Sequence, residues 1–293
     1  MLADKKKIFI FTSFFILGLL SFTWAIELPY IDKSKIRLSI APGQTEYADI
    51  VVENPTPEPR HLRLYLEDWR YAAAGEGTKE FAPANTMPLS CASWINFSPA
   101  DFTIPAFGRQ KVNYAVKVPA DATGGHYAAL FFEGRLGEPE AVEEGVTAGI
   151  NLAVRIASLF YVEAKGAVKR TAVLEDLKLK RDKTSGLLSV EANIRNTGNV
   201  DITASGSFHI MDSKGLIFAR GEFNKAYTFP GDSAKLRATW KEPIPQGKYI
   251  LVLTIDIGKA LEEAGMGRGP ITVKEAQIEI GSDGEVISVG SLK

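Results

Sequence analysis

From residue 35 onward, short runs in which every second residue is apolar recur along this chain, separated by turn residues. Lys35-Ile36-Arg37-Leu38-Ser39-Ile40 and His61-Leu62-Arg63-Leu64-Tyr65-Leu66 alternate strictly, and 111–118 and 205–211 follow the same rule. A period of two sends successive side chains to opposite faces of an extended strand, so one face is buried and the other wetted. Pro42-Gly43, Asn54-Pro55, Gly124-Gly125, Thr197-Gly198-Asn199, Pro230-Gly231 and Gln246-Gly247 punctuate the runs. Such dipeptides mark turns. No sustained helical period appears, and only 259–264 suits a single helical turn before Gly265. Many short strands with regular turns predict an all-β chain built of sandwiches.

An internal repeat predicts two of them. Ile104-Pro105 leads through Gly108, the strand 111–118 and Pro119 to Gly125-His126-Tyr127. Phe229-Pro230-Gly231 leads through the strand 235–240, Pro243 and Pro245 to Gly247-Lys248-Tyr249. Upstream, each half has a strand that ends in an asparagine turn, at Asn54 and at Asn196. The 293 residues accommodate two domains of ordinary size. The expected organisation is two tandem immunoglobulin-like β-sandwiches, 26–166 and 167–293, after an N-terminal signal peptide.

That leader is expected at 1–25. Lys5, Lys6 and Lys7 precede an apolar stretch over 8–22, and Thr23-Trp24-Ala25 supplies small residues around a cleavage point. This order of charge, apolar run and small residues defines a secretory signal. The apolar run is short of the about 20 residues that a spanning helix needs. No cysteine follows it, which closes the lipoprotein route, and no later segment is apolar enough to span a bilayer. The expectation is an exported protein, periplasmic or secreted, with no membrane insertion after cleavage.

Several function classes fall away. Lys and Arg total 34 against 35 Asp and Glu, a net charge of −1, so no basic stripe announces nucleic acid. Cys91 stands alone, and His61, His126 and His209 are scattered, so neither an internal disulfide nor a metal site is expected. No phosphate-binding glycine loop and no Gly-x-Ser-x-Gly elbow occurs. The chain reads as non-enzymatic, with no catalytic residue, no metal and no cofactor. Glu67 and Asp68 point to opposite strand faces and read as a solvated strand end. Trp69, Trp94 and Trp240 read as core or rim aromatics, with a glycan platform at Trp69 as a weaker reading. The stretch 72–93, rich in Ala, Gly and Pro, reads as a long surface loop or an insertion within the first sandwich. The stretch 137–145 reads as an acidic one, through Glu138, Glu140, Glu143 and Glu144.

The most informative segment is 147–162, TAGINLAVRIASLFYV. By period two, Ile150, Leu152, Val154 and Ile156 share a face with Ser158, Phe160 and Val162. Asn151, Ala153, Arg155, Ala157, Leu159 and Tyr161 take the other. The run is long beside a typical strand of about 5–6 residues. Two readings stand. In one it is the last strand of the first sandwich, with an ordinary core face. In the other, part of it is an open edge whose apolar side chains and unpaired N–H and C=O groups accept another chain.

The first half resembles the N-terminal domain of periplasmic pilus (fimbrial) chaperones of the chaperone–usher type. The resemblance covers about residues 35–165. It rests on Lys35–Ile40 with Pro42-Gly43 and Ile50-Val51-Val52-Glu53-Asn54, on Phe102-Thr103-Ile104-Pro105 through Gly108 to Val112, on 127–133, and on 151–162 with Leu159-Phe160-Tyr161. It implies a chaperone-like role in assembling pilus or surface subunits by β-strand addition. Ile150, Leu152, Val154 and Ile156 would contact the partner, an exported subunit or surface protein, and Arg37 would sit near its terminus. The family places a lysine just before the segment matched by Leu159-Phe160-Tyr161, where this chain has Ser158. A weaker resemblance, to exported tandem Ig-like proteins that interact with wall-associated WxL proteins, rests on Leu62 to Trp69, on 196–202 and on Gly247-Lys248-Tyr249. It implies the alternative of a structural or adhesive surface module that binds wall proteins or glycans through loops. The sequence leaves the oligomeric state open.

Overall fold

The computed structural model of the chain describes residues 28–73, 75–136 and 152–293, with Arg135, Leu136 and Leu152 described by their main chain. The leader expected at 1–25, the acidic stretch 137–145 and Ile150 lie outside the described residues.

The first sandwich uses β1 (Tyr30–Ile31), β2 (Lys35–Ile40), β3 (Thr45–Glu53), β4 (Arg60–Tyr71), β5 (Lys79–Pro83), β6 (Ile95–Ser98), β7 (Asp101–Ile104), β8 (Arg109–Lys117), β9 (Gly125–Leu136) and β10 (Leu152–Ala164). One sheet runs β1-β3-β8-β6. The other runs β2-β10-β9-β4-β5, with β7 also paired to β4. The chain changes sheets between Ile31 and Lys35, and β2 then lies parallel to β10. The period-two faces meet as expected: Ile36, Leu38 and Ile40 pack with Ile50, Val52, Leu62, Leu64, Val112, Phe132, Phe160 and Val162.

The second sandwich uses β11 (Ala172–Arg181), β12 (Leu188–Asn196), β13 (Ile202–Met211), β14 (Ile217–Thr228), β15 (Ser233–Trp240), β16 (Gly247–Asp256), β17 (Ile271–Ile280) and β18 (Val286–Val289). Its sheets run β11-β12-β15 and β14-β13-β16-β17-β18. The expected helical turn is α1 (Lys259–Glu263). Alternate residues of β12 and β16 fill its core, among them Val190, Ile194, Leu251 and Leu253. No helix among the described residues is long and apolar enough to cross a membrane.

The sequence repeat has a shared chemistry. Asn54 and Asn196 are both buried. Each accepts through Oδ1 from the N–H two residues on, of Thr56 and of Gly198. Each donates through Nδ2 to the carbonyl four residues on, of Glu58 and of Val200. Each also reaches the strand end before its Pro corner, at Ile104 and Pro105 in one half and Thr228 in the other. One amide therefore satisfies a turn and a distant strand end, which buried carbonyls require.

The stretch 72–93 differs from the expected loop. Its first part turns β4 into the hairpin strand β5, which pairs back along β4 from Glu67↔Pro83 to Tyr71↔Lys79. Its second part wraps around Asp68, which is fully buried rather than solvated. The Asp68 carboxylate accepts from the N–H groups of Thr86 and Met87 at 2.8 Å and from the Ser90 hydroxyl. The turn ends at Cys91, whose thiol is buried and pushed well up in pKa by that burial and by nearby Asp68.

Replacing either repeat asparagine by alanine strips partners from two or more buried carbonyls, at about 1–3 kcal/mol for each group left unpaired. Asn54→Ala and Asn196→Ala should each lower the urea midpoint, and unequal losses would show which turn matters more. Cys91 should react with a thiol reagent at pH 8 only once the chain is unfolded.

Candidate functional site

The strand β10 is two strands in one. Its second half is paired on both edges, with β9 on one side and with β2 from Leu159↔Lys35 to Ala164↔Ile40 on the other. Both of its faces are covered there. Phe160, Val162 and Ala164 enter the sandwich core, whereas Leu159 and Tyr161 join a second apolar cluster on the opposite face. That double burial explains why the sequence reads as an almost unbroken apolar run.

The first half has a different environment. Over 152–158 it pairs with β9, and among the described residues no strand pairs with its other edge. The Leu159 N–H bonds to the Ser34 carbonyl, so residues of that parity turn their N–H and C=O toward the β2 side. Ala157, Arg155 and Ala153 therefore present their backbone groups to the open edge. Val154 and Ile156, half-buried, turn inward to an apolar cleft at the end of the sandwich, which Leu28, Pro29, Leu62, Phe132 and Gly134 also line. On the outer face, the Arg155 guanidinium lies 4.3 Å from the Phe131 ring centroid and 2.9 Å from the Glu67 carboxylate.

Ser158, where the pilus-chaperone resemblance places a lysine, is buried and donates its hydroxyl to the Lys33 carbonyl at 2.6 Å. It ties β10 to the crossover between β1 and β2 at the point where pairing with β2 begins.

Arg37 does not stand at the open edge. Its side chain is 2% exposed. Its two terminal nitrogens grip Asp201 of the second sandwich at 3.0 and 2.6 Å, and one of them also donates to Glu163 at 2.7 Å. Arg170, in the connection between the sandwiches, reaches the same Glu163 oxygen at 2.7 Å. Burial opposes the charge on Arg37, but Asp201 and Glu163 outweigh it, so the guanidinium holds its proton more tightly than in water. The guanidinium carbon of Arg37 lies over the Tyr161 ring, 4.4 Å from its centroid. Arg37, expected near a partner's terminus, forms a joint between the two sandwiches here, with both terminal nitrogens bonded internally.

Aromatic packing surrounds this joint. Trp69, 2% exposed, makes edge contacts with Tyr71, Tyr127, Tyr161 and Phe229 at 5.0 to 5.9 Å between ring centroids. Tyr127 stacks on Phe229 at 4.0 Å, and its hydroxyl accepts from the Asp201 N–H at 2.6 Å. Burial, then Asp201, drives the Tyr127 pKa well up, so it stays a neutral phenol. The turn after β4 completes the contact: Gly75 adopts φ +68° against Ala234, and its carbonyl accepts from the Tyr227 N–H. Trp69 is therefore a wall between domains and not a glycan platform.

Glu163, Asp201, Arg170 and Asp68 escaped the sequence reading. Asp68 had a signal, because the parity that buries Leu62 and Leu64 also buries Asp68. The others had none within one chain. Among the described residues, no group of three or more His, Cys, Asp or Glu side chains is placed to hold a metal ion.

No protein-family model and no curated protein matches the chain. The solved structures to which it is similar include fimbrial chaperones. One is the class 5 fimbriae chaperone CfaA, with 11% identity over 85% of this chain and 98% of that one, at a TM-score of 0.47. Another is the CsuC chaperone in complex with the CsuE tip subunit of Acinetobacter baumannii, with 11% identity, 84% and 96% coverage and a TM-score of 0.40. A third is the Salmonella enterica SafB chaperone with the SafA pilin, with 14% identity, 85% and 97% coverage and a TM-score of 0.39.

Breaking the joint should be costly, because removing one member of a buried ion group leaves an uncompensated charge, at about 3–5 kcal/mol. Asp201→Ala and Arg37→Ala should both show that loss in chemical denaturation. The double variant should lose less than the sum of the two.

Proposed function

We propose that this protein is an exported, non-enzymatic binding factor that takes an extended segment of a partner polypeptide along the open edge of β10. It acts, chaperone-like, in the assembly of pilus or surface subunits in the cell envelope. The observation that carries the reading is the split of β10: one strand, held on both edges over 159–164, has over 152–157 an edge with which no strand pairs among the described residues. Unpaired N–H and C=O groups on a rigid edge are a template for strand addition, with the backbone giving affinity and alternate side chains giving selection. Val154 and Ile156 lie where those side chains would be selected, and Leu152 is proposed to extend the same row. Ile150 is proposed to continue it. Arg37 serves the reading indirectly: it holds the two sandwiches together beneath the anchored half of the strand.

A proline removes an N–H without changing which face its neighbours take. Ala153→Pro and Arg155→Pro should abolish co-purification of exported subunits with the tagged protein, while Arg155→Ala retains it. Leu152→Asp combined with Val154→Asp should also lose the partners. Retention of every partner by proline variants that unfold at the wild-type temperature would refute the reading.

A further inference from the structure

Where the open edge of β10 meets the end of the sandwich, a small apolar cleft lies between Val154 and Ile156 on one side and Leu62 and Phe132 on the other. Leu28 and Pro29 cover part of it, and Arg60 and His61 stand at its rim. The cleft exists because of one residue. Gly134 lies between Leu62 and Val154 in the sheet register, on the face that points into the sandwich. Leu62 leans across it: a Cβ at position 134 would lie 2.8 Å from Leu62 Cδ2. A glycine inside a strand marks such a close approach. With no side chain at 134 and Leu62 drawn over it, apolar space is left beside Val154, on the row nearest the open edge.

A strand added along 152–157 has its own period of two, set by the same pleat. Residues in phase with Val154 and Ile156 turn inward, over this cleft, and the intervening ones turn outward, toward Arg155. We infer that the cleft is a specificity pocket for one aliphatic side chain, Val, Leu or Ile, of the partner strand, and that the pocket fixes the register of that strand. The inference rests on the strand-addition reading and adds to it the chemistry of the segment recognised. Its polar surroundings agree among the described residues: the His61 imidazole at the rim is bonded to Asp101 at 2.7 Å and the Arg155 guanidinium to Glu67 at 2.9 Å, so each of these groups already has a carboxylate partner. An apolar side chain enters without stripping a partner from any charge.

The test uses the exported full chain and labelled Thr-rich peptides of about eight residues, enough to span the open edge. One central position is Ala, Val, Leu or Phe, and binding is read by fluorescence anisotropy. Burying the added methylenes should tighten binding about tenfold or more from Ala to Leu, and Phe should fall below Leu. Val154→Phe, which fills the pocket from within and keeps the backbone edge, should bind the Ala peptide as wild type does and lose the gain for Leu. Arg155→Pro should bind none of them. Equal affinities for Ala and Leu, with binding lost in Arg155→Pro, would overturn the pocket and leave strand addition standing. Binding that ignores Arg155→Pro, or no binding by the wild type, would overturn both. A concentration-dependent dimer in sedimentation, lost in Val154→Phe, would give the pocket to a second copy and also overturn the inference.

Discussion

The rest of the structure depends on the buried ion group formed by Arg37, Glu163, Asp201 and Arg170. Two guanidinium groups and two carboxylates, all less than a tenth exposed, balance one another where the two sandwiches meet. Taking such charges out of water costs several kcal/mol per ion, and only close geometry with matched hydrogen bonds offsets it. The guanidinium fork of Arg37 meets that demand, with both carboxylate oxygens of Asp201 engaged. Other arrangements of the two sandwiches would leave charges unpaired, so the group acts through specificity: it selects one relative placement.

The aromatic wall around Trp69 supplies the stabilising part of the same joint. Its rings lie on the outer face of the sheet β2-β10-β9-β4-β5, the face that a lone sandwich would wet. Phe229 and Tyr227 of the second sandwich cover it. The sheet is thus sandwiched twice, by its partner sheet on one side and by the neighbouring domain on the other. The anchored half of β10 runs through the middle of this arrangement, and the other half continues from it with one edge that no strand pairs with among the described residues.

Much of this was legible in the sequence. The period of two placed Ile36, Leu38 and Ile40 inward, and the repeated asparagine turns and Gly-x-Tyr strands announced two sandwiches of one design. The apolar run at 147–162 was legible as unusual, but a single sequence could not say that its two halves differ. That depends on where β2 begins, and β2 is brought alongside only by the fold. The internal partners of Arg37 were hidden for the same reason. Its partner Asp201 lies 164 positions away, and nothing local to either residue reports the meeting. The reading of Asp68 as solvated failed on neighbouring Glu67, which does face outward; strict parity with Leu62 and Leu64 would have placed Asp68 inside.

The parallel pairing of β2 with β10 also acts as a ruler. β2 occupies the lane beside β10 from Lys35 onward, and the Ser158 hydroxyl closes the lane at the Lys33 carbonyl. A strand added along 152–157 would share that lane and meet this barrier end-on. The fold therefore fixes where one end of such a strand must stop, and it does so with a strand of its own.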